Sequence, residues 1–456
     1  MTDKSDKPTI FITGASSGIG ACLADLAKQA HMQVRTTGRS GGDVQQDLGD
    51  PDAPRILADF ARGANMAVLN AAIAPGVGSE LEMTVNLTRQ LQLAILLLQD
   101  NPRIKLAFVG SVISGAIIPA YPAYCAAKAG IAAFARALAA EFPGQILLFH
   151  PSGTKSKFME RAGVTAPGHL DSTQAVAGRL LTLLQAPCYP WRRPATWKAW
   201  AIDWAAKLAV VKGPKPAGFA GGQTLITGAA SGLGRALYAQ IDGALGLDLK
   251  GPDLDSKGTD QGIDMSVDLS QPLPELSTAI PSTAKIDRLI NCAGVNWTGS
   301  TLEMPYADIA RLVQINLRAP LALEAQLAPR QVVQISSLCH QVGYPYGAVY
   351  AATKSALAIW GQCQGHVVVY PGPMDTPQAA AARLGGNPSA NIGDPGQVAT
   401  QVIRASAKGQ RQLVPGFSNK ILRIVGRLAP HISTSLFARD QRRRMNDHSS
   451  VKRPTS

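Results

Sequence analysis

The stretch Thr9-Ile-Phe-Ile-Thr-Gly-Ala-Ser-Ser-Gly-Ile-Gly20 decides the fold of this chain, and it occurs twice. Its second copy reads Thr224-Leu-Ile-Thr-Gly-Ala-Ala-Ser-Gly-Leu-Gly234. In each copy a short apolar run, typical of a buried strand, leads into a glycine-rich turn and then into a helical pattern. Glycines let the backbone approach a pyrophosphate, and the helix N-terminus behind them supplies free N–H groups. The stretch therefore predicts a dinucleotide-binding turn in each half.

Other landmarks of the first half return in the second half at nearly constant offsets. The matched pairs are Asn70 and Asn291, Asn86 and Asn316, Ser111 and Ser337, Tyr124 and Tyr350, and Lys128 and Lys354. A long repeat with small drifts in offset is typical of a duplicated domain. We predict a first domain at 1–190, an amphipathic segment and linker at 191–221, a second domain at 222–440 and a basic tail at 441–456.

The apolar pattern predicts the fold class. In the first half, runs at 9–13, 67–69, 104–109 and 146–149 are typical of buried strands, and 19–30, 79–99 and 121–141 are typical of helices. Continuous apolar strands that alternate with helices favour a parallel sheet covered on both faces. We therefore predict an α/β protein with two tandem Rossmann-type, doubly wound parallel-sheet domains.

Composition limits the classes of function. The 456 residues are 46% hydrophobic and carry a net charge of +13. No apolar run reaches the roughly 18 residues of a membrane-spanning helix, and the polar N-terminus predicts no secretory signal. Six cysteines without a CxxC pair favour reduced thiols in a cytoplasmic protein. The basic residues are dispersed and match no nucleic-acid motif, so we expect neither a nucleic-acid partner nor a metal site.

Each half carries a Tyr and a Lys spaced to share one helix face. These are Tyr124 with Lys128 and Tyr350 with Lys354, and each Tyr has a Ser thirteen residues before it. Together with the glycine turns, these motifs resemble the short-chain dehydrogenase/reductase family over nearly all of each half. The resemblance implies an oxidoreductase that interconverts a secondary alcohol and a ketone with a nicotinamide cofactor.

The resemblance also implies roles for the matched residues. The Tyr is the general acid and base, the Ser holds the substrate oxygen, the Lys binds the nicotinamide ribose, and an Asn supports a water-linked proton relay. The catalytic residues implied are Asn86, Ser111, Tyr124 and Lys128, then Asn316, Ser337, Tyr350 and Lys354. A Lys ammonium about 5 Å away, at an effective dielectric near 20, stabilises a tyrosinate by roughly 3 kcal/mol, which lowers its pKa by about two units.

The resemblance to this family also implies the cofactor-binding residues. In the first half they are Gly14, Ser17, Gly18, Ile19, Gly20, Arg39, Asp47, Leu48, Asn70 and Thr154. In the second half they are Gly228, Ser231, Gly232, Leu233, Gly234, Asp248, Asp268, Leu269, Asn291 and Thr376. An acid after the second strand binds ribose hydroxyls, whereas a basic residue favours a 2′-phosphate. Arg39 therefore predicts NADP in the first half, and Asp248 predicts NAD in the second.

Two departures from the family pattern concern spacing. Only 16 residues separate Asn70 from Asn86, against 25 between Asn291 and Asn316. The second Tyr–Lys helix must be short, because the next strand follows soon after Lys354. In this family that helix contributes to the dimer interface. We therefore expect the two domains to pair with each other through these helices, as an intramolecular pseudo-dimer in place of a homodimer.

Each half ends in an amphipathic, basic stretch. Residues 191–211 carry a one-faced apolar stripe of Trp197, Trp200, Trp204, Leu208 and Val211, and residues 419–428 have a similar pattern. One interpretation is a membrane-surface helix that guides an apolar substrate to the site. The other is a lid on the substrate pocket or a helix packed between domains. Both favour an apolar or lipid-like alcohol or ketone.

Three functional hypotheses remain at this point. The first is a tandem oxidoreductase whose two sites are coupled, one oxidising and the other reducing. The second is one active domain beside a nucleotide-binding structural or sensor domain without turnover. The third is a lipid-surface module with vestigial chemistry.

Overall fold

The computed structural model describes residues 7–151, 153–156, 158, 170–186, 213–248, 265–273, 285–377, 392–428 and 434. Within them the chain forms two parallel sheets, one in each half. The strands of the first sheet are β1 (Thr9–Thr13), β2 (Gln33–Gly38), β3 (Val44–Gln45), β4 (Met66–Leu69), β5 (Lys105–Val109) and β6 (Ile146–Phe149). A small pair, β7 (Thr154–Lys155) and β8 (Asp171–Ser172), lies beside it.

The second sheet repeats this plan with one more strand. Its strands are β9 (Gln223–Thr227), β10 (Leu245–Asp248), β11 (Met265–Ser266), β12 (Ile286–Asn291), β13 (Gln331–Ile335), β14 (Val367–Val369) and β15 (Gln412–Leu413). The strand orders are β3-β2-β1-β4-β5-β6 and β11-β10-β9-β12-β13-β14-β15. In both sheets the order reverses beside the first strand, and a crevice opens there at the carboxyl ends. The predicted doubly wound α/β class is confirmed.

Helices cover the sheets on both faces. Those described in the first half are Gly18–Gln29, Ala53–Phe60, Ser79–Met83, Arg89–Asp100, Pro122–Glu141 and Thr173–Gln185. Those described in the second half are Gly232–Gln240, Tyr306–Val313, Ala319–Leu327, Ala348–Gln364, Pro395–Ala407 and Phe417–Leu428. Two π-helical turns, Thr84–Thr88 and Gln314–Arg318, interrupt the long helices that carry Asn86 and Asn316.

Strand β1 shows why the apolar runs are continuous. Alternate side chains of a strand point to opposite faces of its sheet. Ile10 and Ile12 pack on one face with Leu23, whereas Phe11 packs on the other face with Leu57. Both faces are buried, so every position of the strand is apolar or internally hydrogen-bonded.

The two halves contact each other through the helices that carry the Tyr–Lys pairs. We call Pro122–Glu141 the first Tyr–Lys helix and Ala348–Gln364 the second. A side chain at Gly130 would bring its Cβ within 3.1 Å of the Ala352 carbonyl oxygen, so glycine permits a close approach. Ser355 Oγ donates to the Ala129 carbonyl at 3.1 Å. The second helix is the shorter one, with 17 residues against 20.

Further polar contacts join the halves at the end of the first Tyr–Lys helix. The carboxylate of Glu141 accepts hydrogen bonds from the N–H and the hydroxyl of Thr301, both at 2.7 Å. It also accepts from Ser300 Oγ at 3.2 Å. One hydrophobic cluster, which includes Leu87 and Trp360, contains side chains from both halves.

The described part of the predicted linker, 213–221, packs along the second half. Arg411 Nε donates to the Gly213 carbonyl at 3.2 Å, and the Arg288 guanidinium lies 3.9 Å from the centre of the Phe219 ring. The amphipathic stretch at 191–211 and the basic tail at 441–456 lie outside the described residues. Among the helices that are described, none is both long enough and apolar enough to cross a membrane.

Candidate active site

Both glycine turns have the backbone geometry that a phosphate cradle needs. Gly14 and Gly228 have φ values of +67° and +72°, which side chains other than glycine rarely adopt. A Cβ at Gly14 would lie 2.7 Å from the Ala71 Cα, and one at Gly228 would lie 2.8 Å from the Ala293 Cα. The open space in each turn therefore depends on glycine.

The other turn residues surround the start of the next helix. The helices begin at Gly18 and Gly232, directly after Ser17 and Ser231. A Cβ at Gly20 or Gly234 would collide with the carbonyl oxygen of the first glycine in the same turn. Of the apolar residues between these glycines, Ile19 is half-buried and Leu233 is buried. Each cradle has the shape and free N–H groups that suit a pyrophosphate.

The ends of the second strands differ between the halves. Asp248 is the last residue of β10, and its Oδ2 accepts a hydrogen bond from the Ala230 N–H at 2.8 Å. The strand registers place Gly38 at the corresponding point of the first half, since Thr37 and Leu247 pair with equivalent threonines. Arg39 follows Gly38 and is exposed. The first half thus has a glycine packed against Ser16 and Gly41, followed by an exposed basic side chain, where the second has a carboxylate.

The residues after the third strands are also where the sequence placed them. Asp47 follows β3 and Asp268 follows β11, and both carboxylates are exposed. Leu48 and Leu269 point inward and are buried. This pair of positions lies at the carboxyl edge of each sheet, on the β2 and β10 side of the crevice.

The match of Asn70 with Asn291 is wrong by one residue. Thr13 Oγ1 accepts hydrogen bonds from the N–H groups of Asn70 and the residue after it. Thr227 Oγ1 accepts from the N–H groups of Cys292 and the residue after it. Cys292 is therefore the structural counterpart of Asn70, and Asn291 is the last residue of its strand.

This shift changes what the two amides do. Asn70 Nδ2 donates to the carbonyl oxygens of Thr13 and Gly14, at 3.1 and 3.2 Å, and so braces the glycine turn. Asn291 Nδ2 instead donates to Gln334 Oε1 at 3.1 Å, inside the second half. Alignment of the two segments on their asparagines missed Cys292. Alignment of Ala71 with Ala293 would have identified it.

Asn86 and Asn316 occupy equivalent places and make equivalent contacts. Asn86 Oδ1 accepts from the Ile73 N–H at 2.8 Å, and its Nδ2 donates to the Ile73 carbonyl at 3.1 Å. Asn316 makes the same two bonds to Val295, both at 2.8 Å. Each amide lies in a π-helical turn, a rare geometry often found at functional sites. Both carboxamides thus hold the segment that borders the crevice.

In the first half, Ser111, Tyr124 and Lys128 come together at the end of β5. The Ser111 side chain lies close enough to the Tyr124 hydroxyl to lower its pKa. Lys128 Nζ lies 5.7 Å from the centre of the Tyr124 ring and donates to the Val109 carbonyl at 2.9 Å. Tyr124 and Lys128 are both buried. Helical spacing places the two side chains on one face, as the sequence predicted.

The second half reproduces this arrangement. The Ser337 side chain lies close enough to the Tyr350 hydroxyl to lower its pKa. Lys354 Nζ lies 5.9 Å from the centre of the Tyr350 ring and donates to the Ile335 carbonyl at 2.9 Å. A Cβ at Gly294 would lie 3.2 Å from Lys354 Nζ and 3.3 Å from Asn316 Oδ1, so these two polar groups border one space.

The pKa values of these groups differ from the expectation that a nearby Lys ammonium lowers the pKa of each Tyr. Burial raises the pKa of Tyr124 and of Tyr350, and the nearby side chains of Ser111 and Ser337 lower each pKa less strongly. Burial also lowers the pKa of Lys128 to about 8. Removal of water from around the phenol outweighs the stabilisation of a tyrosinate that a nearby ammonium supplies. In the protein itself, each Tyr is therefore a protonated hydroxyl at neutral pH.

The counterpart of Thr376 is Ser156 rather than Thr154. A Cβ at Gly232 would lie 3.1 Å from Thr376 Cγ2, and one at Gly18 would lie 4.0 Å from Ser156 Cβ. Thr154 is a buried residue of β7, two positions earlier. Counting from the prolines after β6 and β14, rather than matching threonines, would have identified Ser156.

Comparison with known proteins supports one family. The family model for short chain dehydrogenases matches residues 262–383. Short-chain dehydrogenase/reductase FrzI of Cladobotryum sp is 31% identical over 176 residues, and the match covers 32% of this chain and 68% of that protein. Human L-xylulose reductase is 32% identical over 152 residues, and the match covers 30% of this chain and 62% of the reductase.

Solved structures of dehydrogenases are also similar. A short-chain dehydrogenase from Streptomyces avermitilis is 21% identical, with a TM-score of 0.39, and the match covers 52% of this chain and all of that one. A short-chain dehydrogenase from Sphingobium yanoikuyae in complex with NADPH is 21% identical, with a TM-score of 0.37, over 46% of this chain and 98% of that one.

A parallel sheet with a glycine turn, a Ser and a Tyr–Lys helix defines a Rossmann-type oxidoreductase site. The chain belongs to the short-chain dehydrogenase/reductase family, as its motifs predicted. It is therefore an oxidoreductase of the class that acts on CH–OH groups.

Proposed function

We propose that each half interconverts a secondary alcohol and a ketone with a nicotinamide dinucleotide, which supplies or accepts the hydride when bound. The observation that carries this proposal is the same Ser–Tyr–Lys arrangement at the carboxyl edge of both sheets. The glycine turns fit a pyrophosphate, and Ser156 and Thr376 lie against them. The proposal includes the expectation that the substrate is an apolar or lipid-like alcohol or ketone.

The protein's own groups account for the proton. In the reductive direction the Tyr hydroxyl, kept protonated by burial, donates its proton to the ketone oxygen. The Ser hydroxyl, which lies near that Tyr, holds the same oxygen. The Lys ammonium lies near the ring and stabilises the tyrosinate left behind. Asn316 borders the space beside Lys354, where a water chain can return the proton.

The function is tested on the full chain with a panel of secondary alcohols and either NAD⁺ or NADP⁺. We expect nicotinamide reduction that saturates with both the alcohol and the cofactor. Cofactor binding without turnover in one half would instead support the second hypothesis, a nucleotide-binding structural or sensor domain. Cofactor binding without turnover in both halves would contradict the proposal.

We propose that the first half binds NADP and the second binds NAD. Asp248 is held at the strand end by the Ala230 N–H, and a carboxylate there repels a 2′-phosphate. Replacing Asp248 by Gly, the residue found at position 38, is expected to weaken NAD binding to the second half by about 10-fold, because bonds to the ribose hydroxyls are lost. Titration of NADH and NADPH by fluorescence measures this change.

The matched control for this change is in the first half. Arg39→Ala is expected to weaken NADPH binding and to leave NADH binding to the second half unaffected. Equal losses for both cofactors in either variant would contradict the assignment of one cofactor to each half.

We propose that the pairing of the two Tyr–Lys helices replaces a homodimer, and that the two sites act in sequence on one substrate. The Ser355–Ala129 hydrogen bond and the Glu141 contacts with Thr301 support the pairing. One half oxidises with NAD and the other reduces with NADPH, which amounts to a net epimerisation or a relayed oxidation and reduction. The molecular mass in solution tests the pairing. We expect the mass of a single chain, and an obligate dimer would contradict the pairing.

We also propose peripheral contact with an anionic lipid surface through the helix Phe417–Leu428. Phe417, Ile421 and Ile424 are exposed along it, and Lys420 lies between them. An exposed apolar stripe beside basic residues suits a lipid headgroup region. We expect the full chain to float with anionic liposomes, and the Phe417→Ser, Ile421→Ser, Ile424→Ser triple variant to float less. Equal flotation of both contradicts this contact.

A further inference from the structure

The wall of the crevice beside each catalytic Tyr differs between the two halves. Ile73 and Val295 are equivalent, because Asn86 and Asn316 bridge their backbones in the same way. The residues that follow are Ala74-Pro75 in the first half and Asn296-Trp297 in the second. At these two positions the first half has apolar side chains, whereas the side chains of the second half carry polar groups.

A second difference between the halves lies in the loop before each catalytic Tyr. Tyr344 precedes Tyr350 by six positions, and Ile118 precedes Tyr124 by six, in loops of equal length after Ser337 and Ser111. The ring centres of Tyr344 and Tyr350 are 6.0 Å apart. Tyr344 is buried, so its side chain lies inside the protein next to the Tyr350 ring.

The polar residues of the second half form one connected group. Asn296 Nδ2 donates to the Tyr344 hydroxyl at 3.4 Å and to Thr298 Oγ1 at 3.3 Å. Asn296 Oδ1 and Trp297 Nε1 are buried and make no hydrogen bond within the described part of the chain. One is an acceptor and the other a donor, and such atoms are seldom left without a partner inside a protein.

We propose that the second half takes a substrate with a second hydroxyl next to the reacting carbon, a vicinal diol or an α-hydroxyketone. A hydroxyl both donates and accepts, so it can satisfy the Asn296 carboxamide oxygen beside the catalytic Tyr. Asn296, Trp297 and Tyr344 carry no charge at neutral pH, which favours a neutral hydroxyl over an anionic group. The first half, with Ala74 and Ile118 at these positions, has no such polar group and does not discriminate between a hydroxyl and a hydrogen on that carbon, so it accepts the same substrate. This inference rests on the proposed function.

The test uses the full chain with one site silenced. In a Tyr124→Phe chain, which leaves the second half active, we expect kcat/KM for trans-cyclohexane-1,2-diol to exceed that for cyclohexanol by about 10-fold or more. Asn296→Leu in that background is expected to bring this ratio close to one, because the buried acceptor is gone. Tyr344→Phe, a change too small to disturb folding, is expected to lower the same ratio several-fold, since it frees the Asn296 amide.

The control is the Tyr350→Phe chain, in which the first half alone is active and no preference for the diol is expected. Turnover of both alcohols with equal kcat/KM by the second half would overturn the inference and leave the proposed function standing. Ratios unchanged by Tyr344→Phe and by Asn296→Leu would overturn it as well. No oxidation of either alcohol, or of the wider alcohol panel, would overturn the proposed function together with this inference.

Discussion

A Tyr350→Phe chain is expected to lose about 10²–10⁴-fold of the turnover of the second half, with cofactor binding retained. The ring that packs beside Tyr344 remains, so the change removes only the hydroxyl near Ser337. Tyr124→Phe is expected to have the same effect on the first half. The measurement is steady-state turnover with NAD⁺ for the second half and with NADP⁺ for the first.

The two variants also test the coupling of the sites. If one half oxidises a substrate that the other reduces, either variant alone is expected to abolish the overall conversion. Full overall conversion by each single variant would show that the sites are independent. A Tyr121→Phe chain is a suitable control, since Tyr121 lies just before the first Tyr–Lys helix and outside the Ser–Tyr–Lys arrangement.

The second large effect concerns the glycine turns. Gly20→Val is expected to weaken NADPH binding by about 100-fold or more, and to leave NADH binding to the second half unchanged. A Cβ at Gly20 would collide with the Gly14 carbonyl and would lie 2.7 Å from Asn70 Nδ2, so the turn must open. Gly234→Val is expected to produce the reciprocal result. Overpacking of this kind also destabilises a fold by typically about 1–3 kcal/mol.

Gly178→Ala is the control for this pair. Gly178 lies within the helix Thr173–Gln185, and an added Cβ would have only Leu26 Cδ1 near it, at 4.0 Å. Alanine favours a helix over glycine by about 1 kcal/mol, so stability is expected to be unchanged or higher. Fluorescence titration of both cofactors and thermal unfolding measure these outcomes. A Gly20→Val chain that keeps its NADPH affinity would contradict a phosphate cradle in the first half.

The apolar periodicity predicted the local elements well. Residues 9–13 and 146–149 are strands with the predicted bounds, and the predicted helix at 121–141 differs from the observed one by a single residue. The apolar pattern of a buried strand or helix depends on residues that are close together in sequence, so the sequence alone can indicate it. The Ser–Tyr–Lys group was also predictable, because one helix face and one adjacent strand end hold all three side chains.

The errors share one physical cause. Asn70 was matched by letter to Asn291, but the structure matches it to Cys292, and the residue that lies against the first glycine turn, as Thr376 lies against the second, is Ser156 rather than Thr154. Which residue reaches the crevice depends on the register between strands far apart in sequence. A shift of one position moves a side chain to the other face of the sheet.

The sequence by itself determined that this chain repeats one nucleotide-binding plan, with a Tyr and a Lys one helical turn apart in each copy. Only the tertiary structure decided which residues line each crevice, and that Asn296 and Tyr344 join in one polar group near Tyr350 where the first half has Ala74 and Ile118. Local patterns arise from backbone geometry and burial, which neighbouring residues dictate. The walls are made of segments brought together by strand pairing and helix packing, and no local pattern encodes those contacts.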